Sequence, residues 1–155
     1  MIALVETENS MRPASSGRLL AVFLKLSGAV MLLAFPAALL PADWMDGIHR
    51  WLGLGDLPRG PIVDYLARSA SLLYGYQGAI LLYLSRDPQR HAPLLLFMGI
   101  VSAALSVAFV LIDLGAGLPL YWTLSEGPLL LVFSAVIILL ARPLAVASER
   151  KRDIA

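Results

Sequence analysis

Four long apolar runs, separated by short polar segments, dominate the pattern of this chain. They lie near residues 19–40, 61–84, 94–112 and 120–141. A helix rises 1.5 Å per residue, so about twenty apolar residues cross the roughly 30 Å hydrocarbon core of a bilayer. The pattern therefore predicts an all-α protein, a four-transmembrane-helix bundle occupying residues 18–142. Residues 1–17 and 143–155, which are more polar, are predicted to form cytoplasmic tails, the first of them mobile.

The first apolar run resembles a signal peptide in having Arg12 and Arg18 before it. However, it is longer than the roughly 7–15 residues of a signal-peptide core, and no clean small-residue cleavage site follows it. We therefore expect an uncleaved span. Pro36 is expected to kink its far end, and Pro41 to help end it.

Between the first two spans, residues 43–52 have the spacing of a short amphipathic helix. Ile48 shares one face with two tryptophans, Asp43 is a suitable N-cap, and Gly53 or Gly55 can end the helix. Ten residues are too few to cross a bilayer, so this helix is predicted to lie at the outer interface. A lid over a binding site is the alternative. The predicted interfacial anchors are Trp44, Trp51, Tyr121 and Trp122.

Composition supports a membrane protein and excludes several kinds of chemistry. Hydrophobic residues make up 59% of the chain and charged residues 15%, with a mean hydropathy of +0.77, whereas soluble domains carry roughly 25% charged residues. A net charge of +1 without a basic patch gives no indication of nucleic-acid binding. There are no cysteines, and the two histidines lie in different connecting segments. We therefore predict no metal site and no cofactor.

The distribution of lysine and arginine predicts the orientation, because cytoplasmic loops are enriched in both. One side of the membrane receives nine of them: Arg12, Arg18, Lys25, Arg86, Arg90, Arg142, Arg150, Lys151 and Arg152. The other side receives three: Arg50, Arg59 and Arg68. Both termini and the loop 85–92 are therefore predicted to be cytoplasmic, in a multi-pass protein of a bacterial inner membrane.

With this topology, four ionisable residues from three spans fall in the outer leaflet. They are Asp64, Arg68, Asp113 and Glu126. A charge left alone in hydrocarbon costs several kcal/mol, so these residues should pair or line a wet cavity. Arg68 is the expected centre because its guanidinium can bind two carboxylates. Two interpretations stay open: an ion-pair cluster that fixes helix packing, and a pocket that binds a small molecule or lipid headgroup.

Small residues form a stripe on two of the predicted spans. One stripe contains Asp64, Arg68, Ser71, Gly75 and Gly78, and the other contains Gly99, Ala103, Ser106, Val110 and Asp113. Such stripes allow two helices to approach closely within a membrane. Tyr65, Ser69, Tyr76 and Tyr83 form a second face of span two, which we interpret as packing or lipid-facing, with a groove for a quinone or another aromatic ligand as the alternative.

These features resemble the DoxX-like group of small bacterial four-helix membrane proteins over roughly residues 20–140. The first span bears a lysine and a glycine and ends in proline, and a Leu-Gly-Leu element follows at residues 52–54. The second span bears an arginine and small residues. The matching positions are Lys25, Gly28, Pro41, Arg68, Gly75 and Gly78. The resemblance implies a membrane protein of mostly unknown activity, some relatives being associated with quinone-linked oxidoreductases, and it carries over no catalytic residue.

The sequence thus favours a membrane protein without catalysis of its own, a small subunit or accessory factor of a membrane assembly. Its expected partners are the lipid bilayer and other membrane subunits or further copies of itself. The alternative is a carrier, binder or enzyme for a small molecule, a lipid or a quinone, which would use the outer-leaflet polar pocket. A channel is disfavoured because no span carries a polar stripe through both leaflets.

Overall fold

The protein is helical throughout the part that the computed structural model describes, which is the backbone of residues 2–153 and the side chains of residues 15–150. Its helices are α1 (Ile2–Leu32), α2 (Ala34–Ala37), α3 (Ala42–Trp51), α4 (Pro61–Leu84), α5 (Ala92–Ala116) and α6 (Leu120–Asp153). No strand occurs within the described backbone. The all-α prediction is therefore confirmed.

Three of the described segments, not the four predicted, are both long enough and apolar enough to cross a membrane. They are Ser15–Ala37, Ala92–Ala116 and Leu120–Arg150. The remaining long helix, α4, has 24 residues and is long enough to span. Arg68, Gln77 and several tyrosines lower its mean hydropathy below that of the other three. The count of three reflects the polar face of α4 and not its length.

Two helices extend beyond the predicted spans. The N-terminal segment, expected to be a mobile tail, is instead helical from Ile2, and the C-terminal segment expected to follow residue 142 continues α6 to Asp153. Alanine, arginine, lysine and glutamate are good helix formers, so a polar composition does not stop a helix. The side chains of Arg12, Lys151 and Arg152, which enter the charge count, lie outside the described residues.

Pro36 explains why the first helix is interrupted. Proline has no N–H to donate to the carbonyl of Leu32, and its ring clashes with that carbonyl. Accordingly α1 ends at Leu32, and the N–H of Leu33 donates to the carbonyl of Val30 at 3.2 Å. The four-residue α2 follows at once. The helix is thus interrupted close to Pro36, and the kink itself stays a prediction.

The short helix that was predicted to lie at the interface is present as α3. The prediction of its start contains one error. Pro41 precedes the first turn and Asp43 makes no capping hydrogen bond, so its assignment as the N-cap was wrong. The end is as expected, because Gly53 and Gly55 have φ of 75° and 82°, which glycine adopts without strain. Leu54 N–H donates to the carbonyl of His49 at 3.1 Å and closes the last turn.

The chain forms two compact units, one comprising residues up to Phe23 and from Leu84 onward, and the other Leu24–Tyr83. In the second unit the backbones of α1 and α4 touch at Gly28 and Gly78. A Cβ atom on Gly78 would lie 2.7 Å from the carbonyl oxygen of Gly28, and one on Gly75 would lie 2.7 Å from the ring of Phe35. Residues later in the first apolar segment therefore contact residues earlier in α4, so the two segments run antiparallel. The small-residue stripe of α4 is a site of close helix approach.

In the first unit α5 and α6 form an antiparallel pair. The buried positions of α5 recur every two turns, at Ala92, Gly99, Ser106 and Asp113. A Cβ atom on Gly99 would lie 3.4 Å from the carbonyl oxygen of Ser134, and one on Gly127 would lie 3.0 Å from that of Ser106. The second small-residue stripe thus also serves close packing. The rings of Phe23 and Phe133 add a contact in this unit, with centroids 5.2 Å apart.

Candidate functional site

Arg68 is the best-bonded charged side chain in the Leu24–Tyr83 unit. Its Nε donates to Oδ1 of Asp64 at 2.9 Å. Its Nη1 donates to the carbonyl of Ala38 at 2.6 Å, and its Nη2 donates to the carbonyl of Leu40 at 3.1 Å. These two carbonyls lie just after α2, where the chain leaves its helix and has no i+4 amide for them. Arg68 therefore supplies hydrogen-bond donors to two backbone carbonyls that the interrupted helix leaves without partners at the end of the first apolar segment.

Asp64 is placed to hold Arg68 from the first turn of α4. Pro61 begins that helix, where its missing N–H costs nothing, and the N–H of Asp64 donates to the carbonyl of Gly60 at 3.1 Å. A carboxylate in the first turn also interacts favourably with the helix dipole. Asp64 is about half exposed and Arg68 about one-third exposed, so this ion pair is partly hydrated.

Asp46 is a buried carboxylate on the side of α3 opposite the tryptophans, and the predicted site did not include it. Only 8% of the residue is exposed. Its Oδ1 accepts the N–H of Leu57 at 2.8 Å, and its Oδ2 accepts from Nη2 of Arg50 at 2.7 Å. The hydrogen bond from the N–H of Leu57 to Asp46 ties the loop 52–60 to α3. The signal in the sequence was the turn residues of that loop, which indicate that the loop folds back on α3. The N–H groups of such a loop then need hydrogen-bond acceptors on the helix.

Asp46, Asp64 and Arg68 line one cleft of about 350 Å³ in this unit. Its other walls come from the loop 52–60 and the ends of α3 and α4, with the lining residues Ala42, Leu57, Pro58, Arg59, Gly60, Pro61 and Val63. The volume falls in the range of small-molecule sites. Two carboxylates and two guanidinium groups give the lining a balanced charge, which suits a zwitterionic or neutral polar ligand better than an anion or a cation.

The apolar face of α3 points away from the protein. Trp44 is 66% exposed and Trp51 is 83% exposed, and Ile48 is also exposed, whereas Asp46 on the opposite side is buried. A helix on a water-soluble domain would bury the tryptophans and expose the aspartate. This reversed arrangement is typical of a helix whose apolar face enters the headgroup region of a bilayer.

The other two predicted site residues belong to the unit that contains α5 and α6. Glu126 accepts a hydrogen bond at its Oε2 from Nε1 of Trp122, 3.1 Å away and one turn earlier in α6. Asp113 is only 3% exposed, and its Oδ2 has no hydrogen-bond partner among the described residues. The structure therefore brings Asp64 and Arg68 together in one unit. The four-residue cluster with Asp113 and Glu126 stays a prediction.

Thr123 is a second buried polar residue that the sequence interpretation missed. It is 4% exposed, and its Oγ1 has no partner within the described part of the chain. Other buried hydroxyls of this unit are satisfied locally, as Ser106 donates to the carbonyl of Ala103 and Ser134 to that of Leu130, both at 2.7 Å. The signal that could have found Thr123 is its place on α6 opposite the small-residue stripe of α5.

The three tyrosines of the second face of α4 are exposed by three-fifths or more. They are Tyr65, Tyr76 and Tyr83. No group of three or more histidine, cysteine or acidic residues within the described residues is arranged to hold a metal ion. No protein-family model, curated protein or solved structure matches this chain.

Proposed function

We propose that the chain is a four-span integral membrane protein, with α4 as the fourth span. Support comes from the antiparallel contact of α4 with α1 at Gly28 and Gly78, because α1 belongs to an apolar segment able to span by itself. A helix of 24 residues that packs backbone to backbone on a spanning helix shares its depth. Its small-residue stripe is then covered by the first apolar segment, and Arg68 is bonded to protein groups, which reconciles a modest hydropathy with a position in the bilayer. The resemblance to DoxX-like proteins is part of this proposal.

In this proposal both termini are cytoplasmic, and α3, with the loop 52–60, lies at the outer face of a bacterial inner membrane. The nine-to-three distribution of lysine and arginine supports this orientation. The exposed Trp44 and Trp51 support interfacial placement of α3. Tyr121 and Trp122, at the start of α6, would anchor the same interface.

Reporter fusions test the number of spans and the orientation together. We expect fusions after residue 88 and after residue 155 to report a cytoplasmic location, and fusions after residue 56 and after residue 117 to report an external one. A three-span chain without α4 would place residues 56 and 88 on the same side. That result would contradict the four-span arrangement, while a reversal of all four sites would contradict only the orientation.

The function that the geometry supports best is that of a non-catalytic small subunit or accessory factor of a membrane assembly. The observation that carries it is the bonding of Arg68, whose donors are directed to Asp64 and to two backbone carbonyls. A group that completes the fold in this way is not presented to a substrate. The large apolar faces of the spanning helices suit contact with lipid, other membrane subunits or a second copy.

A second candidate function is the binding of a polar small molecule or lipid headgroup, and the cleft beside Asp46 and Asp64 favours it. Arg59 is 83% exposed and makes only one long contact, 3.5 Å from its Nη2 to Oδ1 of Asp43. It is therefore the guanidinium of the cleft best able to turn towards a ligand. A quinone fits less well, since no aromatic side chain lines the cleft.

Native mass spectrometry of the full chain, released from mild detergent, discriminates between these two functions. As a subunit, the protein should appear at a fixed stoichiometry with another chain or a second copy, and Arg59→Ala should leave this unchanged. As a binder, it should retain a small molecule or lipid, and Arg59→Ala should reduce the retained fraction several-fold. A bare monomer from membranes in which the protein is naturally expressed would contradict the subunit function.

A further inference from the structure

The register of the α5–α6 pair places Asp113 and Thr123, which both carry a buried side-chain oxygen, at facing positions. The register follows from the glycine contacts, in which Gly99 meets Ser134 and its α6 neighbours one turn later, Ile137 and Ile138. Two turns along α5, Ser106 meets Gly127, two turns back along α6. Two further turns lead to Asp113 on α5 and Leu120 on α6. The residue one turn after Leu120, in the position that Ile137 has opposite Gly99, is Thr123.

Neither oxygen is satisfied by the protein around it. The Oδ2 of Asp113 and the Oγ1 of Thr123 are both fully buried without a hydrogen-bond partner, and no ion pair of the described residues includes Asp113. A buried polar group without a partner destabilises the fold, and a charged one does so more strongly.

We propose that Asp113 and Thr123 form a binding site for a monovalent cation such as the sodium ion. Carboxylate and hydroxyl oxygens are hard ligands that suit hard cations. One carboxylate balances one positive charge, so that the bound site is neutral within a low-dielectric helix interface, whereas a divalent ion would leave an uncompensated charge. The proton is the natural competitor for the same carboxylate.

The proposed site lies close to the end of α5. Asp113 lies in the last turn of α5, about 5 Å along the helix axis from its end at Ala116. Gly117, with φ of 69°, turns the chain directly into α6, and Leu118 N–H donates to the backbone carbonyl of Asp113 at 3.0 Å. An ion therefore enters from the nearby membrane surface rather than through the bilayer core, and water at that surface can complete its coordination.

The test uses the full chain in detergent and compares sodium chloride with choline chloride at equal ionic strength. We expect sodium to raise the thermal unfolding midpoint by about 3–6 °C at ten times its dissociation constant. Asp113→Asn and Thr123→Val should each abolish the sodium-specific rise. Ser134→Ala, which removes a buried hydroxyl of the same helix pair that is already bonded to its own backbone, should retain it.

A second measurement keeps the result independent of how well the variants fold. Dicyclohexylcarbodiimide adds to a protonated carboxyl group in apolar surroundings; the carboxyl proton moves to a reagent nitrogen, and the carboxyl oxygen bonds to the reagent carbon. In the wild-type chain sodium should slow the modification of Asp113 about tenfold, as located by mass spectrometry, and leave that of Glu126 unchanged. The absence of a sodium-specific rise in the wild-type midpoint would overturn the proposal whatever the labelling shows.

Discussion

Replacing Arg68 with leucine is expected to lower the free energy of unfolding by about 3 kcal/mol. The substitution leaves the carboxylate of Asp64 and the carbonyls of Ala38 and Leu40 without their donors. Breaking a fully buried pair typically costs about 3–5 kcal/mol, and the partial exposure of both side chains places this one at the lower end. Denaturant or thermal unfolding in detergent, followed by circular dichroism, measures the loss.

The matched control is Arg59→Leu, because Arg59 is largely exposed and its only ion pair among the described residues is long. That variant should change stability by less than about 0.5 kcal/mol. Arg68→Lys should fall between the two, since lysine keeps the charge but cannot reach three acceptors in the plane of a guanidinium. Equal effects of Arg68→Leu and Arg59→Leu would show that the bonds to the end of α2 contribute nothing.

Combining Arg68→Leu with Glu126→Gln tests the predicted link between these two residues. If Glu126 is a partner of Arg68, the double variant should recover part of the loss, because the carboxylate of Glu126 is then no longer left unpaired, although that of Asp64 still is. Strictly additive losses would mean that the two residues are not coupled. Glu126 would then be held by Trp122 alone among the contacts described above.

Gly78→Ala is expected to destabilise the protein by about 1–3 kcal/mol, although alanine is the better helix former. The added methyl group would lie 2.7 Å from the carbonyl oxygen of Gly28 and 2.7 Å from the amide nitrogen of Leu32. Both are backbone atoms, which cannot move aside without separating the helices. Thermal unfolding in detergent measures the difference, and a larger residue such as leucine should be worse.

Gly47→Ala is the control for Gly78→Ala. Gly47 lies inside α3, and a methyl group added there would meet no atom within 4 Å beyond its local helix backbone. The substitution should therefore stabilise the protein by up to about 1 kcal/mol through helix propensity alone. A loss at Gly47 as large as that at Gly78 would mean that the close contact of α1 and α4 is not the cause.

The sequence predicted what depends on spacing along one helix. The apolar runs, the amphipathic face of α3 and the small-residue stripe of α5 follow from a period of 3.6 residues, and the structure contains all three. It did not predict where Arg68 would find acceptors. The carbonyls of Ala38 and Leu40 become available only because Pro36 interrupts the first apolar segment, and a carbonyl has no signature in the sequence.

The errors have a similar origin. Asp43 is a good N-cap by residue type, but Pro41 is the residue that precedes the helix, and Asp43 lies in its first turn beside Arg59. Asp46 was left out of the predicted site, although it lies on the polar side of α3 and is buried there. An amphipathic pattern indicates two faces without stating which of them meets water, lipid or protein. Only the position of the loop 52–60 decides it.

The unbroken length of α6 imposes a geometric condition on the membrane around it. At 1.5 Å per residue, its 34 residues measure about 51 Å, whereas a bilayer core is about 30 Å thick. Tilting cannot by itself fit the whole helix within the core, because the tilt angle would have to be roughly 54°. The tilt of membrane-spanning helices rarely exceeds about 40°. Part of the helix must therefore extend beyond the hydrocarbon core of the bilayer. In the proposed orientation its far end, rich in arginine, reaches beyond the lipid headgroups into the cytosol.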